Sequence, residues 1–221
     1  MAQRTAVILG ATGLIGGHCL EILLRGEFYA GVTTLGRRAA PAEHPKLSQR
    51  VVDLAQPESF AHLLAPHTDV FCCLGTTIKT AGSEAAFRRV DYEYPLNVAR
   101  VAAQRDDTHF LLVSSLGADA ASRLFYSRVK GEAEAAISAL PFAGVHIFRP
   151  SLLLGERAEF RFGERVAELA AAPLSLLMLG PLRKYRPIHA RTVAQAMTRT
   201  ARAARAGVEI LESGQIAEIG N

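Results

Sequence analysis

Short apolar runs alternate with longer stretches of helical spacing along most of this chain. TAVILG (5–10) is apolar without alternation, as expected of a strand covered on both faces. GLIGGHCLEILLRG (13–26) follows, with Leu14, Cys19, Ile22 and Leu23 at helical spacing and Gly26 as a stop. GVTTLGRR (31–38) and QRVVDL (49–54) predict the second and third strands, PESFAHLLA (57–65) a short helix, and DVFCCLG (69–75) a fourth strand. SEAAFRRVDYEYPLNVARVAAQ (83–104) is helical in pattern, with Phe87, Val90, Tyr94, Val98 and Val101 on one side, and Pro95 is expected to kink or split it. THFLLVSS (108–115) predicts a fifth strand, LFYSRVKGEAEAAISAL (124–140) a helix, and GVHIFRPSLLLG (144–155) a sixth strand with its loop. Beyond residue 150 helices are expected near 160–171 and 190–205, a strand near 208–212, and irregular chain over 172–190. The alternation predicts an α/β, Rossmann-like, doubly wound parallel sheet. One domain is expected over 1–221, its smaller C-terminal part (151–221) packed over the carboxyl edge of the sheet to cover a substrate cleft.

Composition narrows the function classes. With 221 residues, 49% of them hydrophobic, the chain has enough apolar material for a sizeable core. The net charge is +4, carried by 21 arginines and 4 lysines scattered through amphipathic segments. Without aromatic interleaving this predicts a solvated basic surface and argues against nucleic acid as a partner. No apolar run approaches the roughly 18 positions of a membrane span, so no membrane partner is expected. Cys19, Cys72 and Cys73 make no disulfide framework. Cys72 and Cys73 are adjacent in a strand and should point to opposite faces, as reduced core residues. With no signal-peptide pattern before the first strand, a cytoplasmic protein is expected. The seven histidines show no metal-ligand spacing, and no metal is expected.

The chemistry starts at GATGLIGG (10–17), which places Gly10, Gly13 and Gly16 in a G-x-x-G-x-x-G turn between a predicted strand and a predicted helix. Glycine lets the turn tighten, lets a pyrophosphate approach the backbone, and lets the helix pack close to the strand. Thr12, Leu14 and Ile15 belong to the same cofactor-binding turn. An NAD-preferring site carries an acid about 20 residues past the glycines. Here Gly36, Arg37 and Arg38 stand instead, and guanidinium groups pair with a 2′-phosphate. NADP(H) is therefore preferred over NAD(H). Asp53 and Leu54 suit an adenine contact, and Leu74, Gly75, Thr76 and Thr77 lie where a cofactor would cross the sheet edge.

Of the five tyrosines, only Tyr126 has a lysine, Lys130, four residues on. On a helix the two share a face. Tyrosine titrates near 10 and is a poor acid at neutral pH, unless nearby positive charge stabilises the phenolate. Ser115, or its neighbour Ser114, ends the preceding strand and could hydrogen-bond a substrate oxygen. Tyr126, Lys130 and Ser115 are the candidate catalytic residues. Cys73, in an apolar strand, is rejected as a thiolate nucleophile. His189 is a candidate for the cleft or for the start of a helix, and Lys79 is expected to face water.

These residues resemble the short-chain dehydrogenase/reductase superfamily in its extended or atypical branch. GATGLIGG, the GRR at 36–38, FCCLGTT (71–77), SSLGAD (114–119), YSRVKGEAE (126–134) and FRPSLLLG (148–155) are similar to the Tat-interacting-protein-30 (HTATIP2-like) family. The resemblance implies an NADPH-binding Rossmann domain and Ser-Tyr-Lys roles for Ser115, Tyr126 and Lys130. It also implies that Pro150, Ser151 and Leu152 lie near the nicotinamide. The expected function is an NADP(H)-dependent oxidoreductase acting on a small carbonyl or alcohol. An NADPH sensor without turnover stays open, as does nucleotide-sugar epimerase or dehydratase chemistry, for which residues 151–221 are short. The expected partner is a small-molecule substrate, and homodimer and monomer are both open.

Overall fold

The computed structural model describes residues 4–155 and 186–221. The helix expected near 160–171 and most of the irregular 172–190 stretch lie outside the described residues. The chain runs β1 (Thr5–Leu9), α1 (Leu14–Arg25), β2 (Gly31–Gly36), β3 (Leu47–Val51) and β4 (Thr68–Cys72). It continues through α2 (Ile78–Ala81), α3 (Glu84–Arg88), one π-helical turn (Arg89–Glu93), α4 (Tyr94–Ala102), β5 (His109–Val113), α5 (Phe125–Ser138) and β6 (Gly144–Arg149). The short strands β7 (Leu153–Leu154) and β8 (Ile188–His189), α6 (Ala190–Ala203), β9 (Gly207–Glu212) and α7 (Ser213–Gly220) complete it.

Seven strands form one sheet in the order β3-β2-β1-β4-β5-β6-β9, and every neighbouring pair is parallel. This is the doubly wound Rossmann-like arrangement. Strand order reverses between β1 and β4, the place where such sheets open a ligand crevice beyond their carboxyl ends. β4 and β5 are buried at every position, which explains the apolar runs Val70–Cys72 and Phe110–Val113 within them. One core forms on the face covered by α1 and α6, with Cys19, Phe71, Leu111 and Met197. The other holds Phe60, Cys72, Val98, Phe110 and Ile137, under α4 and α5. Cys72 faces the second core and Cys73 packs against the first, on opposite faces as adjacent strand residues must be.

Several elements differ from their expected form. β3 starts two residues before the predicted 49–54 and ends three residues short of it, where the Asp53 carboxylate accepts the Ala55 N–H at 2.9 Å and turns the chain away. The helix expected over 57–65 is two 3₁₀ turns, Pro57–Ser59 and Ala61–Leu63, broken at Phe60, whose φ of −134° leaves the helical region. Pro95 does disturb its helix, but at the turn before it. It cannot donate to the Asp91 carbonyl, and the mismatch is absorbed by the π turn over 89–93. The expectation that the whole of 151–221 lies over the sheet edge needs correction. α6 packs on α1, and β9 joins the main sheet beside β6, so residues 190–212 belong to the sandwich itself. The exposed apolar face of β1 and its helix needs a cover, and the apolar stripe of α6 supplies it.

Candidate active site

The glycine turn is shaped by close backbone approach. Gly10 sits at φ +78°, and a Cβ there would stand 2.7 Å from the Cys73 carbonyl oxygen, across the β1–β4 crevice. At Gly16 a Cβ would lie 2.1 Å from the Gly10 oxygen, so only glycine lets α1 start this close to β1. The Gly13 N–H donates to the Gly10 carbonyl at 2.9 Å and closes the turn. No side chain caps α1, and its first turn holds no acid. Its N-terminal N–H groups therefore suit a phosphate. Thr12 is exposed, the Leu14 methyls lie against Gly155, and Ile15 is buried in the core, so Ile15 offers this turn only its backbone.

An open cleft of about 570 Å³ continues from the turn. Gly10, Thr12, Arg37, Arg38, Leu54 and Leu74 line it, together with Val90 and Tyr94. Both arginines are exposed, and neither pairs with a carboxylate among the described residues. Val90 and Tyr94 were placed by periodicity on a helix face but not in a binding site; they reach the cleft from either end of the π turn. The Asp53 side chain is not in the cleft lining, being engaged in its own turn. Glycine turn, apolar walls and paired guanidinium groups together fit a dinucleotide.

Beyond Leu74, the chain meets a buried ion pair. Lys130 is 6% exposed and Asp91 2%, and Nζ lies 2.7 Å from Asp91 Oδ1. The contact is ionic, since Oδ1 has no partner in hydrogen-bond geometry. The other carboxylate oxygen accepts the Thr76 N–H at 3.0 Å. Burial works against the lysine charge, but Asp91 and then Tyr126 outweigh it and hold the Lys130 pKa above its ordinary value. Lys130 is thus an ammonium at any physiological pH. Tyr126 lies on the same α5 face, its ring 5.2 Å from that of Phe87. Gly75 runs alongside the pair, where a Cβ would lie 3.6 Å from Asp91 Oδ1 and 3.8 Å from Lys130 Nζ. Thr77 is engaged otherwise: its hydroxyl caps α2 by accepting the Thr80 N–H at 3.1 Å.

The serines stand at the end of β5. The Ser114 N–H donates to the Phe148 carbonyl at 2.8 Å, while the hydroxyls of Ser114 and Ser115 are buried without a hydrogen-bond partner in the described structure. Two orphan hydroxyls at the carboxyl end of β5 suit a bound polar group. The loop that follows is set against α5 by Gly131, where a Cβ would collide with Ala120 N and Asp119 C at 2.2 Å. The Leu116 N–H donates to the Pro150 carbonyl at 3.0 Å, which brings the 150–152 segment to the same edge. The Ser151 hydroxyl, however, is taken by the Arg186 carbonyl and by Ser213 Oγ, and Leu152 is half exposed, its carbonyl accepting the Ile188 N–H at 2.9 Å. His189 has an exposed side chain that makes no cap at the start of α6, and Lys79 faces solvent. The thiol of Cys73 is held well above its ordinary pKa by a hydrogen bond with Cys19 and by burial, which fits its rejection as a nucleophile.

Residues 10–143 match the model of an NAD(P)H-binding family. Protein HTATIP2 of Rattus norvegicus is 39% identical over 170 residues, 76% of this chain and 70% of that protein. The chain belongs to the HTATIP2-like family of NAD(P)H-binding proteins. FMP52 of Coccidioides immitis is 33% identical over 219 residues, covering 94% of this chain and 89% of its own. Among solved structures, the dTDP-glucose 4,6-dehydratase DesIV of Streptomyces venezuelae, with NAD and TYD bound, superposes with a TM-score of 0.71 at 16% identity, covering 98% of this chain and 80% of that one. At that identity the likeness shows the fold alone. One expectation is overturned here. The FMP52 relatives are described as mitochondrial, so the cytoplasmic assignment does not stand. Its premise was weak, because the lack of a secretory-signal pattern does not tell the cytosol from an organelle. Among the described residues, no helix is long and apolar enough to cross a membrane.

Proposed function

We propose that this protein is an NADP(H)-dependent oxidoreductase of the short-chain dehydrogenase/reductase type, acting on a small carbonyl or alcohol. The observation that carries the reading is Lys130, buried and charged beside Tyr126, at the same sheet edge as the glycine turn. The nicotinamide, when bound, supplies or accepts the hydride. The Tyr126 hydroxyl gives its proton to the carbonyl oxygen in reduction, and the phenolate takes it back in oxidation. Ser115, with its unpartnered hydroxyl, holds the substrate oxygen, and Ser114 lies one residue closer to the strand. Arg37 and Arg38 take the 2′-phosphate at the far end of the cleft.

The test is a Tyr126→Phe variant assayed on a panel of carbonyl compounds. It should bind NADPH as the parent does and lose turnover by about 10²–10⁴-fold, the range of a lost general acid. A parent protein that binds NADPH tightly yet reduces nothing on a broad panel would favour a sensor instead.

A further inference from the structure

Three sulfur atoms meet in the core behind the glycine turn. Cys73 Sγ lies 3.9 Å from Cys19 Sγ, and Cys19 Sγ lies 3.9 Å from Met197 Sδ. They come from three separate pieces of the fold: Cys19 from α1, Met197 from α6, and Cys73 from the residue after β4. Cys19 stands 54 residues from Cys73 and 178 from Met197, so no sequence spacing marks the group. All three belong to the apolar core that holds Phe71 and Val193.

We propose that Cys19, Cys73 and Met197 form a binding site for a soft monovalent metal ion, Cu(I). Metal–thiolate bonds are about 2.3 Å long, so three ligands spread evenly round one ion stand about 4.0 Å apart. The two separations of 3.9 Å already match that spacing. A disulfide would instead need the two cysteine sulfurs to close to about 2.05 Å. Sulfur donors that include a thioether select Cu(I) over Zn(II), which completes a tetrahedron with nitrogen, oxygen or further thiolates. Among the described residues, no three His, Cys, Asp or Glu side chains are grouped to hold a metal, so the donor set here is sulfur alone.

Cys73 is half-buried and its neighbour Leu74 lines the cleft, so the ion enters from the crevice rather than through the core. Binding moves no electron. Cu(I) replaces both thiol protons, which leave to solvent, and the filled site carries one negative charge. A coordinated thiol is deprotonated outright, so a cysteine too weakly acidic to act as a nucleophile still serves as a ligand. Once filled, the site ties α1 and α6 to the end of β4 and stabilises the folded chain. Plain packing also accounts for sulfurs in contact, but it gives the protein no affinity for the metal.

The test uses the full chain, thiols reduced and oxygen excluded, without cofactor or substrate, so it stands apart from the oxidoreductase reading. Cu(I) is offered as its bicinchoninate complex, whose colour fades as the metal transfers. The parent should withdraw one equivalent, and X-ray absorption at the copper edge should show three sulfurs at about 2.3 Å. Cys19→Ser should weaken binding at least about 100-fold, and Met197→Leu at least about tenfold. Cys72→Ala, which removes a thiol from the opposite core, should bind as the parent does. A parent that leaves all the copper with the chelator overturns the proposal. So does a Met197→Leu protein that binds as tightly as the parent; this swap conserves volume, so it stays readable if Cys19→Ser does not fold. A loss in Cys72→Ala equal to that in Cys19→Ser would place the copper elsewhere and overturn it as well.

Discussion

Arg37 and Arg38 line the cleft with exposed guanidinium groups and no carboxylate partner among the described residues, so their charge is uncommitted. A 2′-phosphate offers each a charge-assisted hydrogen bond. Replacing both with alanine should weaken NADPH binding at least about tenfold, roughly 1.4 kcal/mol. Binding of NADH, which lacks that phosphate, should be almost unchanged. Titration calorimetry with the two cofactors decides it, and equal losses for both would assign the arginines to the surface alone. The residue scale also shows why Lys130 stays charged in a dry place: burial opposes the charge and Asp91 more than restores it. Removing either partner leaves an unpaired buried charge.

At the scale of elements, the site depends on how α5 meets the loop after β5. Asp119 donates its N–H to the Ser127 carbonyl at 3.0 Å, and Gly131 lets that loop lie directly on the helix. The contact sets the loop that follows Ser115 against the helix that carries Tyr126 and Lys130. A Gly131→Ala variant places a methyl where Ala120 N and Asp119 C stand, and the loop must move. We expect a stability loss of about 1–3 kcal/mol from overpacking. Turnover should fall further than NADPH affinity, because the glycine turn lies elsewhere. Thermal unfolding and cofactor titration on the same sample check both. The π turn works in the same way, with Pro95 as the local cause and the placement of Val90, Asp91 and Tyr94 as the result.

For the whole molecule, the two edges of the sheet hold different groups. The carboxyl edge holds the cleft. The amino edge holds a buried network in which Asp69 accepts the Tyr29 hydroxyl at 2.6 Å and pairs with Arg4 at 2.5 Å. Nearby, His109 and His146 stack with centroids 6.0 Å apart, both buried. Burial is the largest influence on each and holds both pKa values below the ordinary 6.5, despite the opposing pull of Asp69 on His109 and of Glu209 on His146. The unfolded chain takes up protons near pH 6.5 that the folded chain refuses. Stability is therefore full above that pH and falls as pH drops below it, until the depressed folded-state values are passed. The Asp107 carboxylate, held low by His67 and Arg4, enters only further into acid. The melting temperature should fall between pH 7.5 and about 5, and less steeply in His146→Leu. A flat profile for the parent over that window would show that the histidines are protonated in place.

What the chain determines by itself is local. The glycine triplet, the Tyr126–Lys130 spacing, the apolar central strands and the arginines after β2 all act within one turn or one strand, where a few neighbouring residues set the geometry. The parallel, doubly wound sheet was legible too, because parallel strands need crossover helices between them, but its strand order was not. Asp91 was not legible. It stands 39 residues before Lys130. Helical spacing puts it on the face of Phe87 and Tyr94, but nothing in that spacing names the lysine it meets, and the pair exists only once α5 has packed beside that helix. The same holds for α6 and β9, whose patterns showed a helix and a strand but not which surface they would cover. Periodicity specifies which face of an element is apolar; only packing decides what that face, or a charge buried beneath it, will meet.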